Sequence, residues 1–345
     1  MATPASLVPA GGVVAGVRPV VAVPDQLAQA GCPIPPGRGR VPAALVPGTL
    51  IDPNIPGSPA HGVTVVAEDL LPVPGEPPPT DRRKASVERL GGIGMWTWKW
   101  KRTEGGDAAR VVARAKAAGI TSIWVRVGDS RDGFYGGPVL EQLVAKAHAA
   151  GVQVVGWGFP FLGDPASDAA WTRAALEWHG TGGVTIDAFS PDLETASEGV
   201  FVTERRLRTY LEGVRPALGG RPLVATVYPP TDHWWKTYPY GAVAPYVDAW
   251  APMLYWGCKD PGAVVDQAIA RLGASAPVLP IGQAYDQGPD GGRSGRPSAA
   301  ETLRFLDHAT RRGAIGTSFW LWDDAAIEQW QVIASFPWKV QPAGR

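Results

Sequence analysis

The sequence predicts an α/β chain folded as a (β/α)8 TIM barrel and preceded by a Pro-rich extended N-terminal arm. Three observations carry the prediction. From Gly91 onward, short β-branched or aromatic runs alternate eight times with Ala-rich runs of helical period, the pattern of a parallel sheet covered by helices. Four helical runs stop at Gly119, Gly151, Gly219 and Gly313, where a left-handed C-cap calls for glycine. The span 91–345 also matches the ~250 residues typical of this barrel. An open, doubly wound sheet is the rival, but no G-x-G-x-x-G follows the first strand.

The units run in order as follows. "GIGMWTWKW" is followed by "GDAARVVARAKAAG", "ITSIWVRVGDS" by "VLEQLVAKAHAAG", and "VQVVGWGFPF" by "DAAWTRAALEWHG". "IDAFSPDLE" leads to "VTERRLRTYLEGVRPALGG", and "PLVATVYPP" to a Trp/Tyr-rich loop with a short helical piece near "YGAVAPYV". "DAWAPMLYWG" precedes "PGAVVDQAIARLG", "APVLPIGQAYD" precedes "SAAETLRFLDHATRRG", and "AIGTSFWLWDD" precedes "AAIEQWQVIASF".

Residues 1–90 have a different texture. They contain no Phe, Tyr or Trp and hold about half of the 35 prolines. Proline fixes φ and removes an amide donor, and without large side chains the segment cannot offset an ordering cost of ~1–2 kcal/mol per residue. The expected division is therefore an arm or linker over 1–90 and the barrel over 91–345. The arm serves either as a linker or as an anchor for a protein partner.

The formal net charge is zero, which gives no electrostatic footprint for nucleic acid or an anionic membrane. No apolar run approaches the ~20 residues of a membrane span. The N-terminal stretch lacks the basic n-region of a signal peptide, so synthesis in the cytoplasm is expected, with later release or assembly into an extracellular particle left open. Cys32 and Cys258 lack metal-ligand spacing, and two isolated thiols are expected over a single bridge. The five histidines are scattered, so neither a metal nor another cofactor is expected.

In such barrels the active site forms at the C-terminal ends of the strands. Those ends carry Trp98 and Trp100, Arg126 and Asp129, Trp157 and Phe159, Asp192 and Glu194, and Tyr228. The later strands add Tyr255 and Trp256, Gln283, Tyr285 and Asp286, then Trp320, Trp322, Asp323 and Asp324. Aromatic faces stack on sugar rings, and carboxylates and amides bind hydroxyls, so this set points to a glycan. Asp192 and Glu194 are two apart on one strand, which puts both on the same face with Cα atoms about 6.5 Å apart. Two such carboxylates repel, burial raises their pKa further, and one can stay protonated as a general acid. Glycosidic hydrolysis needs such a pair. The competing reading is a solvated loop or a helix cap. Glu198, four residues beyond Glu194, is read as a loop acid outside the pair.

Three motifs then carry a resemblance. "IDAFSPDLE" resembles the fourth-strand D-x-x-D-x-D-x-E of family 18 glycoside hydrolases, the chitinase group. Asp187, Asp192 and Glu194 match three of its acids, and Ser190 stands where the second lies. "APMLYWG" is similar to that family's sixth-strand M-x-Y, with Met253 and Tyr255 in place and Trp256 where an acid usually follows. "GTSFWLWDD" resembles its eighth strand, matching Trp320 and Asp323. "DLET" is also similar to the D-x-E of family 25 muramidases. The resemblance implies that Glu194 protonates the leaving oxygen. It implies further that Asp192 orients the substrate's own 2-acetamido group, that Tyr255 holds that group's oxygen, and that Trp320 floors the sugar subsite. Asp187, Trp98, Trp157, Tyr228, Gln283, Tyr285, Trp322 and Asp323 complete the expected substrate-binding set.

Two readings stay open at this point. One is a glycoside hydrolase acting on N-acetylated glycans, peptidoglycan or chitin-like. The other is a non-catalytic carbohydrate-binding barrel in a cell-surface or phage-like particle, tethered by its N-terminal arm.

Overall fold

Each of the eight apolar runs forms a strand. The computed structural model describes residues 87–288, 292 and 294–338. The strands are β1 (Gly92–Thr97), β2 (Ile120–Asp129), β3 (Gly133–Phe134), β4 (Gln153–Phe159), β5 (Ala188–Leu193), β6 (Val224–Val227), β7 (Ala249–Leu254), β8 (Ile281–Gln283) and β9 (Gly316–Trp320). The helices are α1 (Ala108–Ala117), α2 (Gly137–Ala149), α3 (Pro165–Glu177), α4 (Glu204–Val214), α5 (Asp232–Thr237), α6 (Tyr240–Val243), α7 (Pro261–Leu272), α8 (Ala299–Arg311) and α9 (Ile327–Ser335). Eight strands pair in parallel, and β1 bonds to both β2 and β9, which closes the sheet into a TIM barrel. β3 stands outside the ring as a short antiparallel hairpin strand on β2. The expected arm lies almost wholly outside the described residues, as does Cys32. Cys258 is disulfide-bonded, which corrects the expectation of two isolated thiols.

The expected helix stops are present: Gly119, Gly151, Gly219 and Gly313 all have positive φ, between 57° and 76°. Helix starts are capped by side chains that accept from first-turn amides. Asp107 does this for α1, Asp164 for α3, Thr203 for α4 and Asp260 for α7. Ser298 and Glu301 form a reciprocal capping box on α8. No described helix is long and apolar enough to cross a membrane.

Strand alternation divides the core in two. Outward-facing residues such as Ile123, Val125, Phe189 and Leu193 pack under the helices. Inward-facing ones, including Trp96, Trp124, Val155, Trp157, Ala188, Val224, Ala251 and Ile281, fill the barrel, with Val87 and Leu90 joining that same cluster. The interior is dominated by indole. Trp96 stacks on Trp124 with ring centroids 4.5 Å apart. Its Nε1 donates to Ser318 Oγ at 2.8 Å, while Trp124 Nε1 donates to Ser122 Oγ at 3.0 Å. Such bulk needs room from a neighbour: a Cβ on Gly94 would sit 2.6 Å from Trp124 Nε1. These tryptophans plug the barrel and form the floor on which the mouth residues rest.

Candidate active site

The site is built on β5. Its alternation puts Phe189 and Leu193 outward, in the layer under the helices, so Ala188, Ser190 and Asp192 face inward. Pairing with β4 runs from Ala188 to Pro191 and stops there, since Pro191 lacks the amide to continue the ladder. Asp192 and Leu193 pair instead with Thr226 and Val227 of β6. Ser190 is fully buried beneath Asp192. Its hydroxyl donates to the Val224 carbonyl at 2.6 Å and lies 2.8 Å from Thr226 Oγ1.

Asp192 is 9% exposed, and its Oδ1 has no hydrogen-bond partner. Burial, the largest cause, pushes its pKa up to about 7; Arg126 pulls it down and Glu198 adds to the rise. Glu194, at the lip, is held well above the usual carboxylate range. Burial is again the main cause, the charges of Asp192 and Glu198 add to it, and a hydrogen bond from Tyr228 opposes it. The two carboxyls therefore separate in role. The pair holds one charge more readily than two, and Arg126, which pulls Asp192 down, favours Asp192 as its carrier.

Aromatic rings enclose the pair. Trp320 is partly buried and meets Trp157 edge to face at 5.4 Å. Trp98 is 41% exposed on the rim and lies 6.3 Å from Trp320. Trp157 is buried and donates from Nε1 to the Thr97 carbonyl at 3.1 Å. Tyr255 packs against the edge of Tyr285 at 5.2 Å. The Tyr255 phenol is raised well above its ordinary value by burial first, then by Tyr285, Asp192 and Glu194. Tyr228 stacks near Trp234 at 4.4 Å, and its hydroxyl lies 3.2 Å from Ser197 Oγ. Gln283 is buried: Gly257 N–H donates to its Oε1 at 3.0 Å, and its Nε2 donates to the Tyr285 carbonyl at 3.1 Å. It braces the loop carrying Tyr285.

Two expected residues, Asp187 and Trp322, are not brought to the mouth. Asp187 precedes β5 at the opposite end of the barrel, where its Oδ2 accepts from Val154 N–H at 2.7 Å and lies 2.9 Å from His148 Nε2. Trp322 is 2% exposed and packs at 4.9 Å against Trp330 of α9, donating to Glu104 Oε1 at 3.0 Å. It belongs to the layer between barrel and helices. Asp323 sits in the loop after β9, where Thr103 Oγ1 donates to its Oδ2 at 3.3 Å. Trp256 also turns outward: it is buried, stacks near Phe305 at 5.3 Å and donates to Glu301 Oε1. The acid absent after Tyr255 is therefore replaced by a core side chain.

Three groups that the sequence did not link to the pair act on it. Glu198 lies in the loop after β5, with Oε1 3.5 Å from the Tyr228 hydroxyl. Tyr238 donates to the Leu193 carbonyl at 2.8 Å, which fixes the backbone between the two acids. Arg126 projects from β2 over Trp157, with Cζ 5.4 Å from the ring centroid. The sequence places Arg126 at a strand end, but nothing in it links the residue to β5. Among the described residues, no group of three or more His, Cys, Asp or Glu could hold a metal ion.

No protein-family profile and no curated protein matches the sequence. The chain does share its fold with glycoside hydrolase barrels. A family GH113 β-1,4-mannanase superposes with a TM-score of 0.54 at 11% identity, covering 71% of this chain and 97% of that one. The endo-β-1,4-mannanase of Thermotoga petrophila gives 0.52 at 12%, covering 71% and 75%. The chitinase of Chromobacterium violaceum gives 0.51 at 11%, covering 70% and 98%. At these identities the likeness is one of fold.

Proposed function

We propose that this protein is a glycosidase acting on N-acetylated glycans of the chitin or peptidoglycan type, with Glu194 as its general acid. One observation carries the reading: a proton-retaining Glu194 stands beside an ionisable Asp192 in a mouth walled by Trp98, Trp157, Trp320, Tyr228 and Tyr255. The fold is one that mannanases and chitinases use.

The chemistry follows from the order in which the pair ionises. At neutral pH Glu194 holds the proton that a leaving glycosidic oxygen requires. Asp192, whose Oδ1 is free of protein partners, accepts a hydrogen bond from the 2-acetamido N–H. That turns the acetamido oxygen toward the anomeric carbon, so the substrate supplies its own nucleophile, a known exception to the two-carboxylate scheme. The Tyr255 phenol stays protonated across the working range and donates to the acetamido oxygen. Trp320 presents its face to the sugar ring. The deprotonated Glu194 then draws a proton from the water that opens the cyclic intermediate.

Turnover of chitin oligosaccharides and muropeptides by wild type and Glu194→Gln tests this reading. The amide keeps shape and hydrogen bonding but carries no transferable proton, so activity should fall at least ~10²-fold while binding survives. Full activity in Glu194→Gln would remove Glu194 from the mechanism.

The second reading, a carbohydrate-binding barrel within a cell-surface or phage-like particle, has one observation in its favour. Ser190 gives Asp192 no carboxyl partner beneath it, so Asp192 has no second acid with which to exchange its proton between steps. Glycan binding by the wild type without turnover of any substrate would favour it.

A further inference from the structure

We infer that Arg126 is the positioning residue of the carboxylate pair: anchored by Asp129 and leaning over Trp157, it keeps the pair's single negative charge on Asp192 and the proton on Glu194. The inference rests on the glycosidase reading for its purpose, but its test does not depend on turnover.

An arginine inside a barrel is costly unless its charge is answered. Arg126 Nη2 donates to Asp129 Oδ2 at 2.9 Å, and Asp129 is itself held. Its Oδ1 accepts from Arg131 and Asp132 N–H, each at 2.9 Å, and its Oδ2 lies 3.4 Å from the Tyr135 hydroxyl. The guanidinium is thus fixed from behind, while its Nε is buried without a hydrogen-bond partner. Strand register shows where it leans. Arg126 pairs level with Trp157, and Trp157 pairs level with Ser190, so Asp192 is the next inward position above that row. The cation lies over Trp157 of β4, the strand between β2 and β5.

No hydrogen bond joins Arg126 to Asp192 in the structure, and this separation is what the chemistry calls for. A direct salt bridge would ionise Asp192 but occupy the oxygen that must receive the substrate. A cation held over the neighbouring indole stabilises the charge through space and leaves Oδ1, which is buried, without a protein hydrogen bond. The other groups acting on Asp192 are Glu194 just past the end of its strand, Glu198 from the following loop, and the phenols of Tyr238 and Tyr255. None of them supplies a positive charge. Without Arg126, both acids of the pair would hold protons at neutral pH, and neither could steer an acetamido group.

The test is a carboxyl titration of the full chain by NMR with labelled Asp and Glu side chains, assigned through Asp192→Asn and Glu194→Gln. In wild type Asp192 should titrate near neutrality and below Glu194. In Arg126→Met the Asp192 midpoint should rise by at least ~1 pH unit, the low end of the effect of an opposite charge, and Arg126→Lys should recover most of it. Arg126→Gln serves as a second neutral variant should the apolar one fail to fold. An Asp192 midpoint unchanged in a folded, neutral variant overturns the inference. If the wild type cleaves no glycan, the glycosidase reading fails, yet the titration still decides what Arg126 does.

Discussion

Trp157 presents its edge to Trp320 with ring centroids 5.4 Å apart, and both rest on Trp96, at 5.5 and 5.9 Å respectively. Trp124 lies against Trp96 in turn. The mouth therefore has a floor of indole, which explains two of its properties together. It offers apolar faces to a sugar ring, and it denies the carboxyls on β5 the water that would keep them at ordinary pKa values. The proposed sugar recognition and the proton retention on Glu194 would share one physical cause.

The two ends of that stack should respond differently to truncation. Trp124 is 1% exposed and sits deep in the barrel, so Trp124→Ala should cost ~3–5 kcal/mol of stability. Trp320 is partly exposed at the mouth, and its loss should cost less stability but weaken glycan binding by ~1–2 kcal/mol, as for other aromatic contacts. Denaturant melts read the first effect, and quenching of tryptophan emission by N-acetylglucosamine oligomers reads the second. A Trp320→Ala variant that binds such oligomers as tightly as wild type would remove Trp320 from the subsite.

Away from the mouth, one ion pair is predicted to matter for the fold alone. Asp248 is 1% exposed, accepts from Arg215 Nη1 and Nη2 at 2.5 and 2.8 Å, and accepts from Leu223 N–H at 2.8 Å. It ties the end of α4 to the start of β6 and β7. Arg215→Met takes the guanidinium away from that buried carboxylate, so stability should drop by ~3–5 kcal/mol, whereas replacing both partners with apolar residues should cost far less. Equal losses in the single and double variants would show that lost packing, not stranded charge, is the cause.

The barrel was legible in the sequence because both of its periods were. Runs of period two sat between helical runs, and the glycines at 119, 151, 219 and 313 marked where helices had to stop. The same alternation led to Asp192, which β5 turns inward, and to Glu194, one residue past the end of that strand. It fails for two other residues outside strand ends. Asp187 falls one residue before β5 begins, so its side chain answers to His148 and the far end of the barrel. Trp322 lies two residues past the end of β9, and the turn there sends it to Trp330 in place of the mouth. The link of Arg126 and Tyr238 to β5 was illegible for another reason. Each acts on β5 from a different element, and only the pairing of neighbouring strands and the fold of the loops bring them near.

Stability itself should report on Asp192. Its carboxyl has a folded-state value near 7 against an ordinary value of 3.8. The folded state therefore holds a proton that the unfolded chain has released. Between these values stability falls as pH rises, by about 1.4 kcal/mol per pH unit where the difference is complete. Asp192→Asn should then match wild type near pH 4 and exceed it above pH 7, as read from melting temperatures. Stability curves that run parallel from pH 4 to pH 8 would mean that Asp192 is as well solvated folded as unfolded.

Glu198 supplies the sharpest contrast between chain order and space. Its place in the loop after Glu194 suggested a bystander, but its charge raises both members of the pair, and its Oε1 reaches toward the Tyr228 hydroxyl. The proposed mechanism requires Asp192 ionised and Glu194 protonated, so it predicts a pH profile bounded by Asp192 on the acid side and Glu194 on the alkaline side. Removing the Glu198 charge lowers both boundaries. Glu198→Gln should accordingly move the whole bell toward acid by a few tenths of a pH unit to ~1 unit, with little change at its maximum. Because Glu198 is exposed, salt should screen its influence, and the displacement should shrink as ionic strength rises from 0.01 to 1 M, where the Debye length falls from about 30 to about 3 Å. Measuring kcat/KM against pH at both salt levels separates this electrostatic effect from loss of the Tyr228 contact, which salt would not restore. A profile that stays in place at low ionic strength would return Glu198 to the role of a solvated loop acid.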